Sequence, residues 1–153
     1  ERVVLVEAGR LGEPLVSPRS AKEYALAGNG ANGGEAPESL AMAAGTLEES
    51  EILAALGEGL YIGNLWYLNY SDRPAGRITG MTRFATFVVE GGRIVAPAAP
   101  MRFDDSLYRI LGENLEALTR NRELRLSTST YGERSTDAML LPGALLAGLR
   151  FTL

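Results

Sequence analysis

The sequence predicts an α+β fold in which a mainly antiparallel or mixed β-sheet carries two short-to-medium helices. Three observations lead there. Runs of β-branched and aromatic residues recur between turn residues, a Gly91-Gly92 pair separates two such runs, and only two stretches repeat their apolar residues once per helical turn. No internal repeat and no parallel strand–helix–strand unit is visible, which favours segregated strands and helices.

Taken in order, the chain opens on Val3 to Val6, a strand-like run, with Gly9 to Pro14 as its turn. Ala27 to Ser39 is small, polar and rich in Gly and Asn, so a loop is expected there, of a length usually found functional or mobile. Thr46 with Glu49 has the spacing of a capping box, in which hydroxyl and carboxylate each satisfy a free helix amide. Ile52, Leu53 and Leu56 give that short helix its apolar side and Gly57 its stop. Leu60 to Tyr70 predicts an aromatic strand, Asp72 to Gly76 a turn, and Thr82 to Val89 a second strand. At Gly91-Gly92 both residues can take positive φ, which suits a two-residue hairpin, and Pro97 and Pro100 end the returning strand. Leu107, Leu111, Leu115 and Leu118 recur at one helical turn behind Asp104 or Asp105 as N-cap, predicting a second helix. Leu149, Phe151 and Leu153 alternate with Arg150 and Thr152 as a closing strand.

Composition narrows the function. With 46% hydrophobic and 22% charged residues the 153-residue chain reads as an ordinary soluble domain with a core of its own. A net charge of -4, with scattered arginines and Lys22 the only lysine, argues against direct nucleic-acid binding, which needs a clustered basic face. There is neither Cys nor His, so these residues build no disulfide, zinc–thiolate centre, Cys nucleophile or His-based triad. No run of about eighteen apolar residues predicts a membrane span, and no export leader is visible, so a cytoplasmic location is the default expectation. The start at Glu1, running straight into VVLV, suggests one domain, residues 1–153, of a longer protein.

Several motifs compete with plainer readings. Gly28 to Gly33 spells G-x-G-x-x-G, but Gly34, Glu35, Ala36 and Pro37 do not begin the helix that a dinucleotide pyrophosphate requires. Asp104-Asp105 has too few oxygens for calcium. Ser127 to Thr130 offer hydroxyls without a base, and read as turn and strand residues. The aromatic set around Trp66 fits cross-strand packing. No catalytic or metal-binding residue is identified. The candidate peptide-binding residues are Asn69, Asp72, Arg73, Arg83 and Arg102, the arginines because they can hold a carboxylate by paired hydrogen bonds. Arg77 belongs to the same group, and pairing with Asp72, Asp104 or Asp105 is the competing fate of all four arginines.

The order TLEESEILAALGEG, LYIGNLWYLNY, SDRPAGR, RFATFVVE, GG, RIVAP, then MRFDDSLYRILGENLEAL and a last GLRFTL, resembles the C-terminal part of the TldD/PmbA family of peptidases over residues 40 to 153. The resemblance implies a cytoplasmic two-subunit metallopeptidase that trims or degrades peptides. It implies an HExxxH helix upstream of Glu1, zinc in the full-length protein or its partner subunit, and a metal-binding cysteine near the C-terminus. That cysteine falls near Tyr131, so the chain looks like the metal-free subunit or a supporting domain that holds peptide by strand addition. The implied partners are an N-terminal domain, a homologous subunit and a peptide, with no nucleic acid or membrane. The gyrase-modulator label attached to the family finds no support in the charge pattern. A non-catalytic interaction module is the alternative.

Overall fold

The computed structural model describes residues 2–132 and 134–152. Strands dominate and helices are few and short, an α+β fold of antiparallel and mixed sheets. Residue contacts cluster into two units, one of Glu1–Ala41 with Leu124–Leu140 and one of Met42–Glu123 with Leu141–Leu153.

In the first unit, the opening strand lies later than the sequence suggests. β1 (Val6–Glu7) and β2 (Arg10–Leu11) form an antiparallel hairpin, because Ala8 and Gly9 both take positive φ, as a tight two-residue turn requires. Helix α1 (Pro18–Tyr24) is not foreseen by the sequence analysis. Ser17 caps it through the Ser20 amide, Pro18 occupies the first turn, and Ala25 ends it in the left-handed region. No residue of α1 is buried, so it carries no apolar period to read. The Gly/Asn-rich loop lacks regular structure up to β3 (Ser39–Ala41), but it is tied down. Asn29 accepts from the Val16 amide and donates to the Pro14 carbonyl, both at 2.8 Å, while Glu35 accepts from the Ser17 amide at 2.9 Å. Hydrogen bonds from Ser20 and Ser17 hold the Glu35 carboxyl below its usual range. β3 pairs in parallel with the first residues of β11 (Ala138–Leu146), and β11 neighbours β10 (Leu115–Leu126).

The second unit holds two small sheets. The predicted Leu60 to Tyr70 strand is two strands in different sheets, β4 (Gly59–Ile62) and β5 (Leu65–Asp72). Likewise, Thr82 to Val89 resolves into β6 (Arg77–Thr82) and β7 (Thr86–Glu90). The break has a local cause. Gly63 donates to the Ala85 carbonyl, and a Cβ on Gly63 would stand 2.9 Å from that oxygen, while Phe84 and Ala85 turn the chain with positive φ. β7 returns through Gly91-Gly92 into β8 (Arg93–Pro97), as expected of the glycine pair. The sheets run β4-β7-β8 and β12-β9-β6-β5, with β9 at Arg102–Ser106 and β12 at Phe151–Thr152. Leu153 lies outside the described residues.

Two helix expectations change. Thr46 does not cap. Its neighbour Leu47 bridges Thr119, Glu49 instead accepts from Asn121, and Glu48 heads a 3-10 turn (Glu49–Glu51) that leads into α2 (Ile52–Leu56). The helix predicted from Asp104 shrinks to one wide turn, Arg109–Glu113, in which the Asn114 amide reaches back to Arg109. Asp104 and Asp105 belong to β9, not to an N-cap, and Leu115 and Leu118 belong to β10. Ser127 to Thr130 carry no strand.

The largest fully buried side chains among the described residues, Phe103, Val89, Thr82 and Asp105, all belong to the second unit. Thr82 satisfies itself there by exchanging hydrogen bonds with Met101. The buried Asp105 carboxylate is fully engaged. It takes Arg109 in a two-pronged pair at 3.0 and 2.9 Å and the amides of Ser106 and Arg150 at 2.8 and 3.0 Å.

Candidate functional site

Alternation along β6 and β9 sorts their side chains onto two faces. Ile78, Gly80 and Thr82 share one with Asp105 and Phe103, which are buried. Arg77, Thr79 and Met81 share the other with Ser106, Asp104 and Arg102. Strand register extends this second face into a row across the sheet: Trp66 opposite Met81, Met81 opposite Arg102, and Arg102 opposite Thr152.

A shallow concavity of about 470 Å³ opens on that face, lined by Ser71, Asp72, Arg77, Thr79, Arg102, Asp104 and Thr152. Its charges are unequally engaged. Asp104 is bonded by Ser71 and by the Arg77 guanidinium, and these contacts, against the opposing effect of burial, hold its carboxyl below the usual range. Arg102 lends Asp104 a weaker attraction, and its guanidinium makes no hydrogen bond or ion pair with any described residue. Asp72 uses one oxygen to receive the Ala75 amide at 3.1 Å, which shapes the turn, and is otherwise exposed.

The five candidates from sequence therefore part company. Asp72 and Arg102 meet in the concavity. Asn69 sits on β5, where its side-chain oxygen receives the Tyr70 amide at 2.8 Å. Arg73 lies over the Tyr70 ring at 5.6 Å and lines a second concavity with Tyr70, Gly76, Leu107 and Tyr108. Arg83 stacks on Trp66 and Phe84 at 5.3 and 5.0 Å. Ser71, Thr79 and Thr152 were missed. Isolated hydroxyl residues on three separate strands carry no spacing signal, and only the register joins them.

β5 itself is an edge strand, exposed at all eight positions, with no strand on its outer side among the described residues. A bulge between Trp66 and Asn69 leaves Tyr67 at positive φ and 80% exposed.

The G-x-G-x-x-G stretch has no helix opening on its glycines, and its Asn side chains are engaged, Asn32 within the loop and Asn29 with Val16 and Pro14, so it forms no phosphate cradle. A zinc centre does not fit the donors of this chain. It has no His and no Cys, no three Asp or Glu residues gather among the described residues, and Tyr131, near which the resemblance places a cysteine, is 98% exposed. No helix among the described residues is long and apolar enough to cross a membrane.

Comparison with known proteins gives one family. The family model described as PmbA/TldA metallopeptidase C-terminal domain matches residues 1–152. No curated protein matches. Among solved structures, a Thermotoga maritima protein described as a "putative modulator of a DNA gyrase" shares the fold at a TM-score of 0.74 with 16% identity, over 97% of this chain and 32% of its own. The chain thus spans about a third of that structure's length.

Proposed function

The chain belongs to the PmbA/TldA metallopeptidase C-terminal domain family, and from that membership we propose that it is the peptide-handling, non-catalytic part of a cytoplasmic metallopeptidase. In this reading residues 1–153 are the C-terminal domain of a longer protein, and an N-terminal domain and a homologous subunit complete the assembly. The metal comes from those other parts, since this chain has neither His nor Cys, and with it the general-base glutamate of their HExxxH helix. The domain's own work is to hold an unfolded peptide.

One observation carries the reading: β5 is a fully exposed edge strand. An extended peptide can add to such an edge through main-chain hydrogen bonds, while side chains at alternate positions find pockets. Asn69 fills the place of an incoming carbonyl on the Tyr70 amide. Exchanging that bond for one from a peptide costs little, because one hydrogen bond replaces another. The bulge at Tyr67 and Leu68 limits how far uninvited strands can pair along the edge.

Hydrogen exchange tests this directly. Adding an unstructured peptide should slow exchange of the Leu65–Asp72 amides and leave β7 and β8 unchanged. Exchange in β5 that stays the same at saturating peptide would refute peptide addition there and favour the alternative, a module that binds a folded partner.

A further inference from the structure

We infer that the concavity between Asp72 and Arg102 holds a short free peptide by its two charged ends, the ammonium on Asp72 and the carboxylate on Arg102. The inference rests on the peptide-handling reading and narrows it to three- or four-residue peptides with unblocked termini.

Charge engagement comes first. The concavity contains two cations and two anions, but Arg77 and Asp104 neutralise each other and are further fixed by Ser71. What remains is one guanidinium without a hydrogen-bond partner and one carboxylate with a free oxygen. A purely anionic ligand would meet Asp72 as repulsion. A zwitterion meets both unused charges with the right sign.

Spacing sets the ligand's length. Arg102 is opposite Met81, and Asp72 is opposite Arg77, four residues back along β6. At about 3.3 Å per residue the two rows lie about 13 Å apart, and β5 and β9 are two strand spacings, about 10 Å, apart, so the Asp72 and Arg102 Cα atoms stand about 16 Å from each other. An extended chain of four residues spans about 13 Å and one of three about 10 Å, and the long arginine side chain reaches across the rest. A single amino acid is too short to meet both ends. The row that carries Arg102 also presents Met81 and half-exposed Trp66, an apolar shelf beside the carboxylate end, and Thr152 offers a hydroxyl there. A peptide ending in an apolar residue therefore fits best. Peptides of this size with both ends free are what proteolysis releases, so the concavity would retain products or small substrates.

Trp66 is the only tryptophan and lies in the Arg102 row, so its fluorescence reports on occupancy. The chain is titrated with a tetrapeptide of three alanines and a C-terminal leucine, and with its N-acetylated, C-amidated and doubly blocked forms. Saturable binding of the free form is expected, with each block weakening it about tenfold or more, as loss of a charge-assisted pair does. D72N should abolish only the preference for a free N-terminus, and R102Q only that for a free C-terminus. Both residues are surface-exposed, and circular dichroism of the variants checks that the fold is kept. Equal binding of free and blocked peptides would overturn the two-ended site while leaving a peptide-binding domain. Absence of binding by these and by a long unstructured peptide would overturn both.

Discussion

Removing the charge of Asp105 should unfold much of the second unit's stability margin. The side chain is 0% exposed and receives four hydrogen bonds, two from Arg109, whose own side chain is 22% exposed, and one each from the Ser106 and Arg150 amides. In Asp105→Asn the amide nitrogen must face one of these donors, so a donor meets a donor and the Arg109 charge loses its counter-ion. Breaking a buried pair in this way costs about 3–5 kcal/mol, against about 5–15 kcal/mol for a whole domain. At about 2–4 °C per kcal/mol for a chain of this size, the melting temperature should fall by about 6–20 °C. Acid supplies a second readout. Burial pushes the Asp105 carboxyl up, but Arg109 and the two amides outweigh it and hold it below the ordinary aspartate value. A carboxyl depressed on folding contributes stability that is fully present above its unfolded pKa of about 3.9 and is lost as pH falls from there through the folded value. The difference in stability between the wild type and Asp105→Asn should therefore shrink below about pH 4. Urea unfolding at pH 7 and pH 3 measures both. A loss under about 1 kcal/mol at pH 7, or a difference that does not narrow at pH 3, would refute the reasoning.

Other positions give independent checks. Gly91→Ala and Gly92→Ala both place a side chain at positive φ, costing about 1–2 kcal/mol each, but only the Gly92 Cβ would press on α2, 3.2 Å from the Ala54 Cα. The Gly92 variant should be the less stable of the two in urea. Gly80→Ala would put a methyl 2.9 Å from the buried Phe103 ring and 3.0 Å from Leu68, and should cost about 1–3 kcal/mol, read as a lower denaturation midpoint. Asn29→Ala removes the bonds to Val16 and Pro14 and should lose about 1–3 kcal/mol. The same bonds mean that deleting Gly28 to Gly34 destabilises the first unit, measurable by thermal melting, besides any effect on peptide turnover.

The fold class was legible because residue type and turn chemistry speak locally. Gly91-Gly92 fixes its hairpin whatever surrounds it, and the turn at Asp72 to Gly76 needs only its own aspartate and glycine. The breaks at Gly63 and at Phe84-Ala85 were not legible, since each depends on how closely the other approaches. The leucine period after Asp104 misled for a related reason. Those leucines are shared between a single wide turn and β10, and the four bonds on Asp105 hold its backbone in a strand rather than a helix start. α1 escaped because an exposed helix needs no apolar face. At the candidate site, Asp72 and Arg102 were picked by chemistry alone. That they share one concavity while Arg73 and Arg83 stack on aromatics elsewhere follows from register, which residue types do not encode.

The most direct measurement is elemental mass spectrometry on the purified chain after incubation with zinc and desalting, coupled to a casein or peptide cleavage assay with and without chelator. It is run on the chain alone and again as part of the full-length protein together with a metal-bearing subunit of the same family. The account predicts no stoichiometric zinc and no cleavage by the chain alone, and chelator-sensitive cleavage once the partner is added. Stoichiometric zinc in the lone chain, with cleavage that chelator abolishes, would contradict it.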